Sequence, residues 1–278
     1  MVSLKSPDKE KPPREISHYT TLEGLKGIVE SGSLWASNAS FLNDRAELEH
    51  ALSVSERVIQ KLSSETTLKA WSSMLKRVFK ELNDGERPNT YVACFCRDDD
   101  NLSQWRGYGG TEQGVSITFG RASLAGRLKS DEAKFLRVSY SKYSTVNKVH
   151  SALEEQLSAI ADLDDLVGSL TAAEKYDELR SRVSALLPRF KHIGFQDERE
   201  WRFVIQRKVD PSALQFRVSK NKIVPFIVVG SSSERLPITA VRIGPGPDQL
   251  LTAKSVQAFL AARGYDVPVR TSEVPFRP

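Results

Sequence analysis

The chain has 278 residues, 40% hydrophobic and 27% charged, an ordinary composition for a soluble globular protein with a full core. No apolar run approaches the roughly 20 residues needed to span a bilayer, and the start, with Lys5, Lys9, Lys11, Pro12 and Pro13, lacks the apolar stretch of a signal peptide. A cytoplasmic protein without membrane attachment is therefore expected.

The net charge of +5 is unevenly spread. Residues 1–179 hold 23 Lys and Arg against 27 Asp and Glu, whereas residues 180–222 hold 11 against 4, a local excess of +7. Such a zone attracts phosphate-bearing ligands, a nucleotide or a nucleic acid. A solvated surface balanced by the acidic first half is the competing reading. Cys94 and Cys96 lie too close in one extended run for an easy disulfide and are too few for a structural zinc site, so they read as small buried hydrophobes.

In chain order, residues 1–15 have little to bury and read as a flexible lead-in to one domain over 16–278. Ile16 to Tyr19 reads as a short strand, and Thr20 with Glu23 as a capping box opening a helix with Leu22, Leu25, Ile28 and Val29. Ser31-Gly32 ends it, and Leu34-Trp35-Ala36 forms a second strand. Phe41-Leu42-Asn43-Asp44 favours a turn or cap. Apolar stripes then predict two helices, one through Leu48, Leu52, Val58, Ile59 and Leu62, the other through Leu68, Trp71, Leu75, Val78, Phe79 and Leu82.

From Thr90 strands dominate: 91–96, 114–119 and 135–140, with the segment Ser103 to Gly110 between the first two. Residues 146–187 turn helical, with a second capping box at Thr171 and Glu174, and end at Pro188. Strands follow at 200–206, 214–218, 223–229 and 239–243, then an amphipathic helix from Leu250 to Leu260 stopped by Gly264. The pattern is α+β with a helical insertion at about 146–187.

Asp197 to Ile205 carries the densest chemical signal, because Glu198 and Glu200 stand one residue apart at the mouth of an apolar strand. In extended chain both point to one face. Their repulsion requires cations, substrate hydroxyls or a metal between them, unless this is a solvated strand end with Arg199 and Arg202 as local counter-charges.

His18 sits in a strand just before a helix cap, where a neutral ring can donate one hydrogen bond and accept another. Ser103-Gln104-Trp105-Arg106-Gly107-Tyr108-Gly109-Gly110 groups aromatics and a guanidinium beside glycines, suiting either a ligand-stacking surface or an aromatic-packed turn. Its glycines match neither the dinucleotide-fold nor the phosphate-loop spacing. Gly244-Pro245-Gly246-Pro247 reads as a structural turn. No His-Glu-x-x-His segment or nucleophile elbow occurs, and no metal is expected.

Together, His18-Tyr19-Thr20, Leu42-Asn43-Asp44 with Glu47, Ser103 to Gly109, and Glu198-Arg199-Glu200-Trp201-Arg202 resemble a poorly characterised bacterial family. That family is associated with defence and toxin-like loci and is distantly similar to the ADP-ribosyltransferase superfamily. The resemblance implies a split β-sheet core with helical insertions and NAD as substrate. By the same resemblance His18, with Tyr19 and Thr20, would hold the adenosine ribose. Trp105 or Tyr108 would pack on nicotinamide, and Arg106 would meet the pyrophosphate. Glu200 would be catalytic and Glu198 would orient the acceptor, with Asn43, Asp44, Arg199 and Arg202 on the substrate side. A toxin or anti-phage effector acting on nucleic acid or protein is then expected, with an antitoxin or chaperone as a further partner.

Two other functions fit the residues. One is a magnesium-dependent nuclease using Asp44, Glu47, Asp197, Glu198 and Glu200. The other is a non-catalytic module that binds a nucleotide or nucleic acid through the basic zone.

Overall fold

The computed structural model describes residues 11–41, 71–83, 90–108, 113–141, 145–219 and 221–275. The helix expected over 48–62, the Asn43-Asp44 turn and Glu47 lie outside these residues.

Strand β1 (Glu15–Thr21) leads into helix α1 (Leu22–Ser31) and strand β2 (Leu34–Asn38). The cap of α1 is Thr21 rather than Thr20: its Oγ1 accepts the Gly24 N–H at 3.2 Å, which leaves Glu23 out of capping-box register. Gly32, at φ 61°, ends the helix in the left-handed conformation that glycine adopts without steric cost. Helix α2 (Ser72–Asn83) follows and buries the expected stripe Leu75, Val78, Phe79 and Leu82.

Strand β3 (Thr90–Cys96) then precedes helix α3 (Leu102–Tyr108), so most of the glycine-flanked aromatic segment is helical rather than a turn. Asn101 explains this, since its Oδ1 accepts the N–H groups of Ser103 and Gln104 at 2.8 and 3.4 Å, as an N-cap does. Strand β4 (Gly114–Gly120) and helix α4 (Arg121–Arg127) come next. The expected 135–140 strand is two short ones, β5 (Lys134–Arg137) and β6 (Ser139–Ser141), which join different sheets on either side of Val138.

The helical insertion is α5 (Thr145–Val167) and α6 (Ala172–Leu186). The capping box is formed in both directions, with Thr171 N–H donating to Glu174 at 2.8 Å and Glu174 N–H to Thr171 Oγ1 at 3.3 Å. The rest is β7 (Phe190–His192), β8 (Glu200–Gln206), β9 (Gln215–Ser219), β10 (Lys222–Val229), β11 (Ile238–Ile243), α7 (Gln249–Ala262) and β12 (Val269–Thr271). The class is α+β, built on a ten-stranded mixed sheet. Among the described residues no helix is long and apolar enough to cross a membrane.

Strand β3 is the branch point of that sheet. One edge pairs along its whole length with β8, from Thr90 opposite Gln206 to Cys96 opposite Glu200. The other edge is shared. Strand β1 meets it at Cys96, opposite Ser17, and β2 meets it at Val92 and Tyr91, opposite Ser37 and Asn38. Among the described residues no ladder pair on that side reaches residues 93–95. The sheet therefore divides there into a wing β12-β11-β4-β1 and a wing β2-β10-β9.

The principal core packs α1, α4 and α7 on one sheet face through Leu25, Val29, Leu124, Val256 and Leu260. A second core belongs to the helices α2, α5 and α6 with Phe190. It meets the sheet along a polar seam, where Thr90 bonds Ser184 at 2.8 Å and Gln206 bonds Ser181.

Candidate functional site

The two glutamates do not stand as alternate residues of one strand. Glu198 ends a 3-10 turn (Ile193–Glu198), Arg199 takes the left-handed conformation at φ 45°, and Glu200 opens β8. This reversal lets both carboxylates converge on one ammonium. Lys191 Nζ lies 2.5 Å from Glu198 and 3.4 Å from Glu200. The cation that the repelling pair requires is thus supplied by the chain itself.

Arg202 grips Glu200 two-handedly, Nε on Oε1 at 2.8 Å and a terminal nitrogen on Oε2 at 2.7 Å, and donates a further bond to the Pro188 carbonyl at 2.6 Å. The Glu200 and Arg202 side chains are 6% and 3% exposed, whereas Glu198 keeps 20%. The Tyr140 hydroxyl accepts the Glu200 N–H at 2.8 Å, and the Cys94 thiol bonds the Glu200 carboxylate. Burial alone would raise the Glu200 pKa, but Arg202 and Lys191 outweigh it and hold the carboxyl down at about 2. Burial and the same carboxylate push the Cys94 thiol and Tyr140 phenol up, so both stay protonated near neutral pH.

Cys94 also marks the division of the sheet. His18 Nδ1 lies 2.9 Å from the Cys94 carbonyl oxygen, and since a carbonyl only accepts, Nδ1 carries the proton and Nε2 keeps its lone pair. Burial, and to a lesser extent the Arg217 guanidinium, lower the His18 pKa against that bond. A neutral imidazole results. The early-strand histidine and the late-strand glutamate, far apart in sequence, thus meet the carbonyl and the thiol of one residue from opposite faces of the sheet, since Ser17 shares the face of Cys96 and Glu200 while His18 lies 5.6 Å from the Phe95 ring of the principal core.

Other expected site residues serve packing. Trp105 is 0% exposed, donates to Asp100 at 2.7 Å and meets the Tyr19 ring edge-on at 4.6 Å. The Tyr19 hydroxyl donates to the Asp98 carbonyl and accepts the Asn101 N–H. Neither ring presents a face to a ligand, so Trp105 packs on Tyr19 rather than on nicotinamide, and the Tyr19 hydroxyl is engaged by Asp98 and Asn101 rather than by a ribose. Thr20 packs its side chain against the space over Gly24. Arg106 is exposed at the end of α3, and the Tyr108 side chain, like Asn43 and Asp44, lies outside the described residues. Arg199 is exposed and paired with Asp98 at 3.0 Å. Arg202, expected on the substrate side, is enclosed on Glu200.

The basic zone is largely paired. Besides Lys191, Arg199 and Arg202, Arg180 meets Glu81, Arg182 meets Glu178 and Arg207 meets Asp131, at 3.2, 2.6 and 2.6 Å. Acids outside the zone neutralise much of its excess, which weakens it as a nucleic-acid surface. Among the described residues no group of three or more His, Cys, Asp or Glu is placed to hold a metal.

Lys191, Tyr140 and Cys94 were not expected at the site. Lys191 arrives on β7, which pairs in parallel with β6 carrying Tyr140, and only that long-range pairing brings them to Glu200. Cys94 faces Arg202 across the β3–β8 ladder.

Residues 104–203 match a family described as a protein of unknown function, DUF2971. The match takes in Tyr140, Lys191, Glu198, Glu200 and Arg202 and leaves out His18 and Cys94. No curated protein and no solved structure matches the chain.

Proposed function

We propose that the protein is an NAD-dependent ADP-ribosyltransferase, or an NAD glycohydrolase where water is the acceptor, with the nicotinamide ribose seated where β1 and β2 part along β3. The observation that carries this reading is Cys94, which ties His18 at the division of the sheet to the ionised Glu200. In the reaction the bond from ribose C1′ to the nicotinamide nitrogen breaks, nicotinamide leaves with the electron pair, and the acceptor oxygen or nitrogen attacks C1′ and loses a proton. Positive charge builds on the sugar ring in between. A fixed carboxylate stabilises that charge more than it stabilises bound substrate.

The His18 Nε2 lone pair, on the far side of the gap between β1 and β2, suits a ribose hydroxyl donor that enters that gap. Glu198, the more accessible acid, suits the acceptor side, where it can take the proton. The internally paired basic zone favours a protein acceptor or water over nucleic acid. An effector role in defence, with an antitoxin or chaperone partner, follows from the sequence resemblance alone.

Incubation with NAD labelled in the nicotinamide and in the adenosine half tests the reading. Wild type should release nicotinamide, Glu198→Gln should lose transfer to the acceptor more than NAD cleavage, and Glu200→Gln should lose both while still melting cooperatively. Absence of NAD binding and turnover with every acceptor class would sink it. A second reading, a nucleotide-binding module without catalysis, is favoured by the two Glu200 oxygens already held by Arg202 and Lys191. It requires NAD affinity that survives Glu200→Gln, with no nicotinamide released by wild type.

A further inference from the structure

On the sheet face that bears Glu200, the wing β2-β10-β9 carries a second group of side chains. Ser37 is paired with both Val92 and Phe226, and Arg217 stands opposite Val224, so Trp35, Ser37, Phe226 and Arg217 share that face with Val92 and Cys94. Trp35 is 49% exposed and stacked on Phe226, with ring centroids 4.4 Å apart and planes at 26°. Phe226 is 4% exposed and backs the indole, leaving its outer face to solvent. A flat ring held rigidly in this way is a platform for a base.

Beside it Arg217 donates to Ser37 Oγ at 3.0 Å, while its buried Nε has no hydrogen-bond partner. No carboxylate among the described residues lies within ion-pair distance of it, in contrast to Arg180, Arg182, Arg199, Arg202 and Arg207. The buried Nε is out of a ligand's reach, but the half-buried guanidinium has no acid beside it among the described residues, and a phosphate oxygen suits the nitrogen that remains uncommitted. Ser37 lies where β2 joins β3, and the Arg217 charge is felt at His18, which puts this donor beside the division of the sheet.

We infer that this wing is a nucleotide subsite, with Trp35 stacking a purine base and Arg217, steadied by Ser37, binding the diphosphate. The assignment rests on the transferase reading for the dinucleotide that runs on along this face towards Glu200. The base lies at one end of the face, the diphosphate between, and the reactive ribose at the carboxylate. It also gives the diphosphate to Arg217 in place of Arg106, which stands exposed at the end of α3.

ADP, which cannot donate an ADP-ribosyl group, is the probe. Binding should quench the tryptophan emission, since Trp105 and Trp201 are buried, Trp71 packs half-buried against the helical core, and Trp35 is open on the proposed face. Trp35→Leu should abolish the quench and weaken ADP about tenfold, with Trp35→Phe restoring affinity. Arg217→Gln should weaken ADP and pyrophosphate about tenfold yet leave adenosine unchanged. No ADP binding by wild type, or equal ADP affinity in the Trp35→Leu and Arg217→Gln variants, overturns the subsite. NAD turnover with unchanged KM in both variants also overturns it while leaving the transferase reading intact. ADP binding that is sensitive to both, without NAD turnover, leaves the subsite and removes the transferase.

Discussion

Glu200 is a residue whose environment makes an acid sensitive to its neighbours rather than to solvent. Removing one partner from a buried ion pair typically costs about 3–5 kcal/mol, because the other charge is left unpaired. Arg202→Ala should therefore lower the free energy of urea unfolding by roughly that amount, whereas Arg199→Ala, at an exposed pair, should change it by less than about 1 kcal/mol. The pH dependence has a defined sign. The folded pKa of Glu200, about 2, lies below its ordinary 4.5, so its contribution is present above 4.5 and fades as pH falls towards 2. His18 is likewise depressed from 6.5, so its contribution is lost on acidification starting from that higher range. Melting curves should show wild type losing stability relative to Glu200→Gln between about pH 4.5 and 2, and relative to His18→Gln from about pH 6.5 downwards. A constant difference in both windows would contradict these assignments.

At the scale of elements, helix α3 shows what a short helix needs from outside. Asn101 caps it, Trp105 anchors it, and Gly244 leaves the anchor room. A Cβ at Gly244 would stand 2.8 Å from the Trp105 ring and 2.9 Å from the Gly114 carbonyl oxygen, closer than either can give way. Gly244→Ala should destabilise by about 1–3 kcal/mol in chemical denaturation, with a blue or red shift of the Trp105 emission reporting the displacement. The Gly-Pro-Gly turn read from sequence as structural thus owes its first glycine to an indole from a distant helix. At the other capping box, Thr171→Ala should cost about 1 kcal/mol, a local loss that circular dichroism melts would register without any change at the sheet. Both boxes were visible in the sequence, yet only Thr171 held its register, since Thr20 and Thr21 compete for one cap and the strand register chose Thr21.

For the whole molecule, two cores joined by a polar seam imply two levels of stability. Leu157→Ala, deep in the helical core, should cost about 2–5 kcal/mol and speed amide exchange in α2, α5 and α6 well before β1 and β4. Uniform acceleration over the sheet would show one cooperative unit instead. Strands and the helical insertion were legible because their apolar periods are local, as at Tyr91 to Cys96 and Leu75 to Leu82. The site was legible only in part. Glu198, Glu200 and His18 announce themselves by residue type, but Lys191, Tyr140, Cys94 and Arg217 reach them through strand pairings that no local pattern encodes. Trp105 misled because an aromatic beside glycines reads alike whether it faces a ligand or a core. The divided sheet has a mechanical side as well. Along the β3 edge one rung holds β1 and two hold β2, so tension drawing the wings apart would peel β1 first. His18 would be carried off with it, so the His18–Cys94 bond and the Tyr19 hydroxyl are the side-chain ties that reinforce that one backbone rung against load.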